Sequence, residues 1–126
     1  MAIVTIVVML GLIEYFIFSL QVGKARGTYN VPAPKTTGDE TFERLYRVQM
    51  NTLEQLQLFV PGMFAFGYFV NSYAAAGLGL LFIAGRAVYS RSYVKDPSSR
   101  TVGFIMGFAA NAVLVLGSIV GALLSL

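Results

Sequence analysis

The chain contains no cysteine, no histidine and no tryptophan, and these absences narrow what it can do. Without Cys and His there is no disulfide framework, no thiolate or imidazole metal centre, no cysteine nucleophile and no triad built on a histidine base. An enzyme made from this chain must receive its nucleophile with the substrate. Charge is scarce as well, with nine Lys and Arg and six Asp and Glu against 56% hydrophobic residues in a length of 126. That balance describes one domain, residues 1–126, written in membrane-grade sequence. The net charge of +3 raises the question of nucleic acid or anionic lipid. All nine cations, however, fall within residues 24–47 and 86–100, a distribution that describes membrane topology and implies no nucleic-acid partner.

Four helical spans follow from the pattern of apolar runs and breakers. Met1 to Val22 is nearly all apolar and ends at Gly23-Lys24-Ala25-Arg26. It lacks a basic n-region and exceeds the length of a signal peptide core, so it reads as a retained first membrane helix. Residues Gly27 to Asp39 carry Pro32, Pro34 and Gly38 and form the one long loop. A second helix is expected over Phe42–Val70, capped by Asp39 or Thr41 and kinked at Pro61-Gly62. The stretch Asn71–Gly77 turns the chain into a third helix, from about Tyr73. The segment Asp96-Pro97-Ser98-Ser99 then opens a fourth, running to about Ser125, with Asp96 as cap and Pro97 in the first turn. The Gly103/Gly107 and Gly117/Gly121 pairs on that helix are small faces suited to close helix contact. The fold class expected is an all-α membrane protein, a bundle of four transmembrane helices. The basic ends are placed in the cytoplasm and both termini on the other side.

The most polar segment, GDETFERLYRVQMNTLEQ over residues 38–55, opens the second helix. At about 100° per residue, Arg44, Arg47, Asn51 and Glu54 lie at roughly 0°, −60°, −20° and −80° and share one face. Arginine anchoring at a membrane surface explains the two cations. It does not explain Glu54, since an acid this close to the bilayer costs about 2.5–3.5 kcal/mol unless paired or facing a wet cavity. A guanidinium, an amide and a carboxylate on one face suit a small zwitterion: the guanidinium grips a carboxylate and the carboxylate an ammonium. On the third helix Arg86, Tyr89 and Tyr93 form a second polar stripe, which an interfacial aromatic belt explains equally well. Arg100 stands near the start of the fourth helix, where the macrodipole disfavours a cation. Glu14, in the middle of the first span, is either an ion or proton site or an interhelical hydrogen-bonding group.

Taken together, Gly38, Phe42-Glu43-Arg44-Leu45-Tyr46-Arg47-Val48-Gln49-Met50-Asn51, the Phe18–Val22 segment with Arg26, and Arg86, Tyr89, Tyr93 and Arg100 closely resemble the MAPEG family. These are the membrane-associated proteins of eicosanoid and glutathione metabolism. Several motifs on different helices agree in order and spacing along the whole chain. Departures are Leu45, Val48 and Thr52 for the usual Val, Ala and Cys, with Gln55 and Gly27 where the leukotriene C4 synthase branch has Tyr and a second Arg. The resemblance implies a homotrimer with glutathione, as co-substrate, bound between subunits. Arg47, Asn51, Glu54, Tyr89, Tyr93 and Arg100 would come from one subunit, and Arg26 and Gln49 from its neighbour. Gln49 lies about 140° from Arg44 around the helix, free to serve another site.

The activity implied is that of a membrane glutathione transferase or peroxidase acting on lipophilic electrophiles. Arg100 would be the catalytic residue, the remaining residues would bind glutathione, and no metal takes part. Two alternatives carry different signatures. One is a non-enzymatic lipid-binding helper, as in the lipoxygenase-activating branch of the family; the other is a small multidrug proton antiporter using Glu14.

Overall fold

A computed structural model describes all residues 1–126 as four long helices. These are α1 (Ala2–Thr28), α2 (Glu40–Phe69), α3 (Ser72–Lys95) and α4 (Thr101–Leu124), with a short 3₁₀ turn at Pro97–Ser99 before α4. α2 and α3 each pack against all three other helices, and α1 and α4 each pack against both of them. The resulting four-helix bundle is the fold expected from the sequence.

Local chemistry sets most boundaries. The Asp39 carboxylate accepts the Phe42 N–H at 2.9 Å and starts α2. Gly38, at φ +137°, takes a conformation closed to other residues and donates its N–H to Glu43. The Asn71 amide oxygen accepts the Ala74 N–H at 2.9 Å, so α3 begins at Ser72 and the turn is shorter than the Asn71–Gly77 stretch suggested. α1 continues past Val22 to Thr28, because Lys24, Ala25 and Arg26 are good helix formers. It stops where Asn30 adopts a left-handed φ of 57°. α2 runs through Pro61 as one continuous helix. Asp96 caps the 3₁₀ turn rather than α4, which leaves Arg100 as the residue preceding α4 rather than within its first turn.

Only 31 of 126 residues are buried, so the bundle's interior is narrow and its outer faces carry much of the apolar surface. Inside, the Phe59 and Phe82 rings stack at 4.1 Å, packed by Val4, Val8, Met63, Ala110 and Leu114. Outside, Ile6, Ile13, Phe16, Leu20, Ile105, Phe108, Leu116 and Val120 project exposed from α1 and α4. A water-facing protein does not present such a surface; a lipid-facing one does. α1, α3 and α4 are long and apolar enough to cross a membrane, as in a multi-pass integral membrane protein. α2 does not qualify by its own apolarity, because its N-terminal half holds Glu40, Glu43, Arg44, Arg47 and Glu54. Its 30 residues nevertheless span about 45 Å at 1.5 Å per residue, and its apolar half supplies Leu56, Phe59, Met63 and Phe66 to the core.

Candidate functional site

Three helices each contribute side chains one turn apart to a single cleft of about 550 Å³ at the polar end of the bundle. Arg47 and Asn51 come from α2, Tyr89 and Tyr93 from α3, Thr101 and Phe104 from the start of α4, and Arg100 from the residue just before it. The i, i+4 spacing keeps each pair on one helical face. Two guanidinium groups and no carboxylate line this cleft, so it favours an anionic ligand. The Tyr89 and Tyr93 rings stack at 5.5 Å and 12°, forming one wall. Phe104 supplies an apolar wall, next along α4 to the exposed Ile105 and Phe108.

Several polar groups at the cleft are unpartnered or loosely held. The Asn51 amide oxygen is buried without a hydrogen-bond partner, and an orphaned acceptor of this kind costs about 1–3 kcal/mol unless a donor arrives. Arg47 lies 3.6 Å from Glu54, both side chains more than half exposed. So loose a pair contributes little by itself, and both charges remain available. Arg100 is exposed and held only through one Nη1 donation to the Pro97 carbonyl at 3.1 Å. The turn beneath it is fixed by Asp96, which accepts from the Ser98 hydroxyl and N–H; these bonds, the hydroxyl's first, hold its carboxyl below the ordinary aspartate value.

A second hollow, about 390 Å³, shares Arg47 and Tyr93 and extends between Thr36, Glu40, Arg44 and Pro97 towards the long loop. Arg44, grouped by sequence with Arg47 and Asn51, has a structural task there. It pairs with Glu40 and donates to the Val94 carbonyl at 3.1 Å, tying the start of α2 to the end of α3.

Of the residues picked out from the sequence, Arg47, Asn51, Tyr89, Tyr93 and Arg100 meet in the cleft, and Glu54 is linked to it through Arg47. Arg26 and Gln49 do not join them within one chain. The Arg26 guanidinium donates to the Val31 and Lys35 carbonyls, at 3.3 and 2.6 Å, and sits 5.0 Å over the Phe42 ring. The Gln49 amide donates to the Ser19 hydroxyl at 3.0 Å on the α1 side of α2. Thr101 and Phe104 escaped the sequence reading; their positions one and four residues after Arg100 were the available signal. Arg86 departs most from its expected place. The sequence set it in an open stripe with Tyr89 and Tyr93, whereas it is 1% exposed and turned into the bundle. There its Nε and Nη2 donate to the Thr52 hydroxyl at 3.2 and 2.9 Å, and its guanidinium lies 4.3 Å from the Tyr89 ring centre.

The chain is similar over most of its length to known proteins. An uncharacterised protein of Synechocystis sp. is 41% identical over 109 residues, covering 86% of this chain and 80% of that protein. Microsomal glutathione S-transferase 2 of Homo sapiens is 38% identical over 99 residues, covering 79% and 67% respectively. Leukotriene C4 synthase of Rattus norvegicus is 35% identical over 123 residues, covering 90% and 82%. The MAPEG family model matches residues 3–120, nearly the entire bundle, and the chain therefore belongs to the MAPEG family.

Proposed function

We propose that the protein is a glutathione-dependent membrane transferase, with peroxidase activity towards lipid hydroperoxides, and that the cleft between α2, α3 and α4 binds glutathione. The observation that carries this reading is the convergence of Arg47, Asn51, Tyr89, Tyr93 and Arg100 on one cleft in a chain with no cysteine or histidine of its own. Glutathione supplies the thiol that the chain lacks.

In this reading Arg47 grips a glutathione carboxylate and Glu54 its ammonium, because a guanidinium fork matches a carboxylate and a carboxylate accepts from an ammonium. The orphaned Asn51 oxygen accepts a peptide N–H. Tyr89 and Tyr93 shape the pocket wall and offer hydroxyls. Arg26 and Gln49 reach the ligand from a neighbouring subunit of a homotrimer. The polar end of the bundle faces the cytoplasm.

Arg100 acts on the sulfur. A thiol with a pKa near 8.5 is mostly protonated at neutral pH, and each unit of depression requires about 1.4 kcal/mol of preferential thiolate stabilisation. A guanidinium in a partly desolvated cleft supplies that by charge and hydrogen bonding. The thiol proton leaves to water at the open polar end. The sulfur then attacks an apolar electrophile arriving along the lipid-facing side of Phe104, forming a carbon–sulfur bond as the electrophile's bond breaks. With a hydroperoxide the sulfur takes the outer oxygen with its hydrogen as the O–O bond breaks, and the alkoxide released takes a proton from water and departs as the alcohol. A second glutathione then displaces the oxidised sulfur's hydroxyl as water, giving the disulfide.

The deciding experiment is a calorimetric glutathione titration of the detergent-solubilised protein, paired with conjugation of a chromogenic electrophile. Saturable binding with turnover supports the reading. Binding of lipid without glutathione points to the helper function, and absence of glutathione binding refutes the proposal.

A further inference from the structure

Arg86 is the one charged side chain of this protein that the bundle fully encloses, and the binding roles assigned above do not use it. Its surroundings are sparse for a buried cation. The single hydrogen-bonding partner is Thr52, whose own hydroxyl donates to the Val48 carbonyl at 2.8 Å. The threonine proton is thereby committed to α2, and the oxygen lone pairs face the guanidinium. No acid lies within ion-pair distance of it. Burying a cation on one neutral acceptor is costly, and an apolar side chain of similar length fills such a space without that cost.

What the guanidinium does that an uncharged side chain cannot is attract the face of an aromatic ring by its charge. The ring it binds, Tyr89, is the inner wall of the cleft and carries the stacked Tyr93. Phe18 and Val48 also pack on Tyr89, and the cation adds an attraction to the ring face that apolar packing alone does not supply. We infer that Arg86 is a positioning residue of the site: set by Thr52, it pins the Tyr89 ring so that the Tyr89–Tyr93 wall is preformed for glutathione. This rests on the reading of the cleft as a glutathione site.

The test is a double-mutant cycle between Arg86→Met and Tyr89→Leu, read by glutathione calorimetry on detergent-solubilised protein. Each single substitution is expected to weaken glutathione binding about five- to twentyfold, and the double variant no further than the weaker single. Arg86→Lys should recover part of the loss, since an ammonium also binds an aromatic face. Thr52→Val keeps the cation and the packing volume while removing the acceptor, so it remains informative even where Arg86→Met fails to assemble; a loss of about threefold is expected. Multiplicative losses in the double variant, or unchanged affinity in Thr52→Val and Arg86→Met, overturn the inference. A second readout does not depend on glutathione. In protein labelled with 3-fluorotyrosine, the Tyr89 fluorine resonance, assigned through Tyr89→Phe, should shift in Arg86→Met and in Thr52→Val. If it stays put while the wild type binds glutathione, only this inference falls. A wild type that takes up no glutathione overturns the cleft reading and this inference with it.

Discussion

Gly103 on α4 lies directly against the main chain of Tyr89 on α3: a Cβ at position 103 would stand 2.6 Å from the Tyr89 Cα and 2.8 Å from the Gly85 carbonyl oxygen. Neither neighbour is a side-chain tip that can swing away. This contact brings Arg100, three residues before Gly103, beside the tyrosine wall. Gly103→Ala must therefore push α3 and α4 apart, with a cost of about 1–3 kcal/mol for overpacking and weaker ligand binding in the protein that still assembles. A Cβ at position 23 would meet nothing within 4 Å, so Gly23→Ala is the control and should be neutral or slightly stabilising. Thermal unfolding of the two variants side by side checks this; equal midpoints would mean the helices separate without cost.

Glu54 is the acid that pairs with Arg47 of the cleft, at 3.6 Å, and is more than half exposed. Removing its charge disturbs no buried structure, so the fold and assembly of Glu54→Gln should match the wild type. Glutathione affinity should fall by about 1.5–3 kcal/mol, the contribution of a hydrogen bond to a charged group. A calorimetric Kd unchanged in this variant would remove Glu54 from the ammonium site.

How far the sequence discloses these features depends on the range of the interactions involved. Apolar runs and capping residues are local, and they place four helices and the cap at Asp39 within a few residues. The shared face of Arg47, Asn51 and Glu54 is legible for the same reason, being one helix's periodicity. Arg86 is not. It sits three residues before Tyr89 on one stripe, and whether that stripe continues into the cleft or into the bundle depends on Thr52 on another helix. The Gly103/Gly107 motif predicted a close contact without naming its partner. Arg26 and Gln49 face away from the cleft of their own chain, and helix periodicity sets Gln49 off the face of Arg44 without showing what it meets.

The turn that carries Arg100 should respond to acid in a defined direction. Hydrogen bonds from Ser98 hold the Asp96 carboxyl below its ordinary value of 3.8. A depressed folded-state pKa means that the cap's contribution is complete above the unfolded value and is lost as pH falls through the lower folded value. The Ser98 amide, which donates to Asp96, should therefore be protected from hydrogen exchange at about pH 6 and lose protection below about pH 3.8, relative to its intrinsic exchange rate. Asp96→Asn retains an acceptor oxygen but cannot titrate in this range, so its Ser98 protection should not change with pH. Acid-independent protection in the wild type would show that the turn is held by other contacts.

At Arg100, glutathione binding and thiol activation can be separated by experiment. Its side chain is exposed, tethered by one bond to the Pro97 carbonyl, and buries nothing, so Arg100→Ala should leave the bundle intact. If Arg100 acts on the sulfur, the variant still binds glutathione through Arg47, Asn51 and Glu54, but the bound thiol titrates near its free value of about 8.5. Wild-type protein should show the thiolate's ultraviolet absorbance rising at lower pH, and turnover in the variant should recover partly as pH is raised, since alkaline solvent then supplies the thiolate. A role as clamp for a glutathione carboxylate predicts the opposite split, with affinity reduced and the thiol titration unmoved. A role as a membrane-surface anchor predicts neither change. Identical thiol titrations in wild type and Arg100→Ala would therefore eliminate thiolate stabilisation by this residue even if the rate fell, because a lower rate with an unchanged ionisation reports on orientation of the electrophile and not on activation of the sulfur.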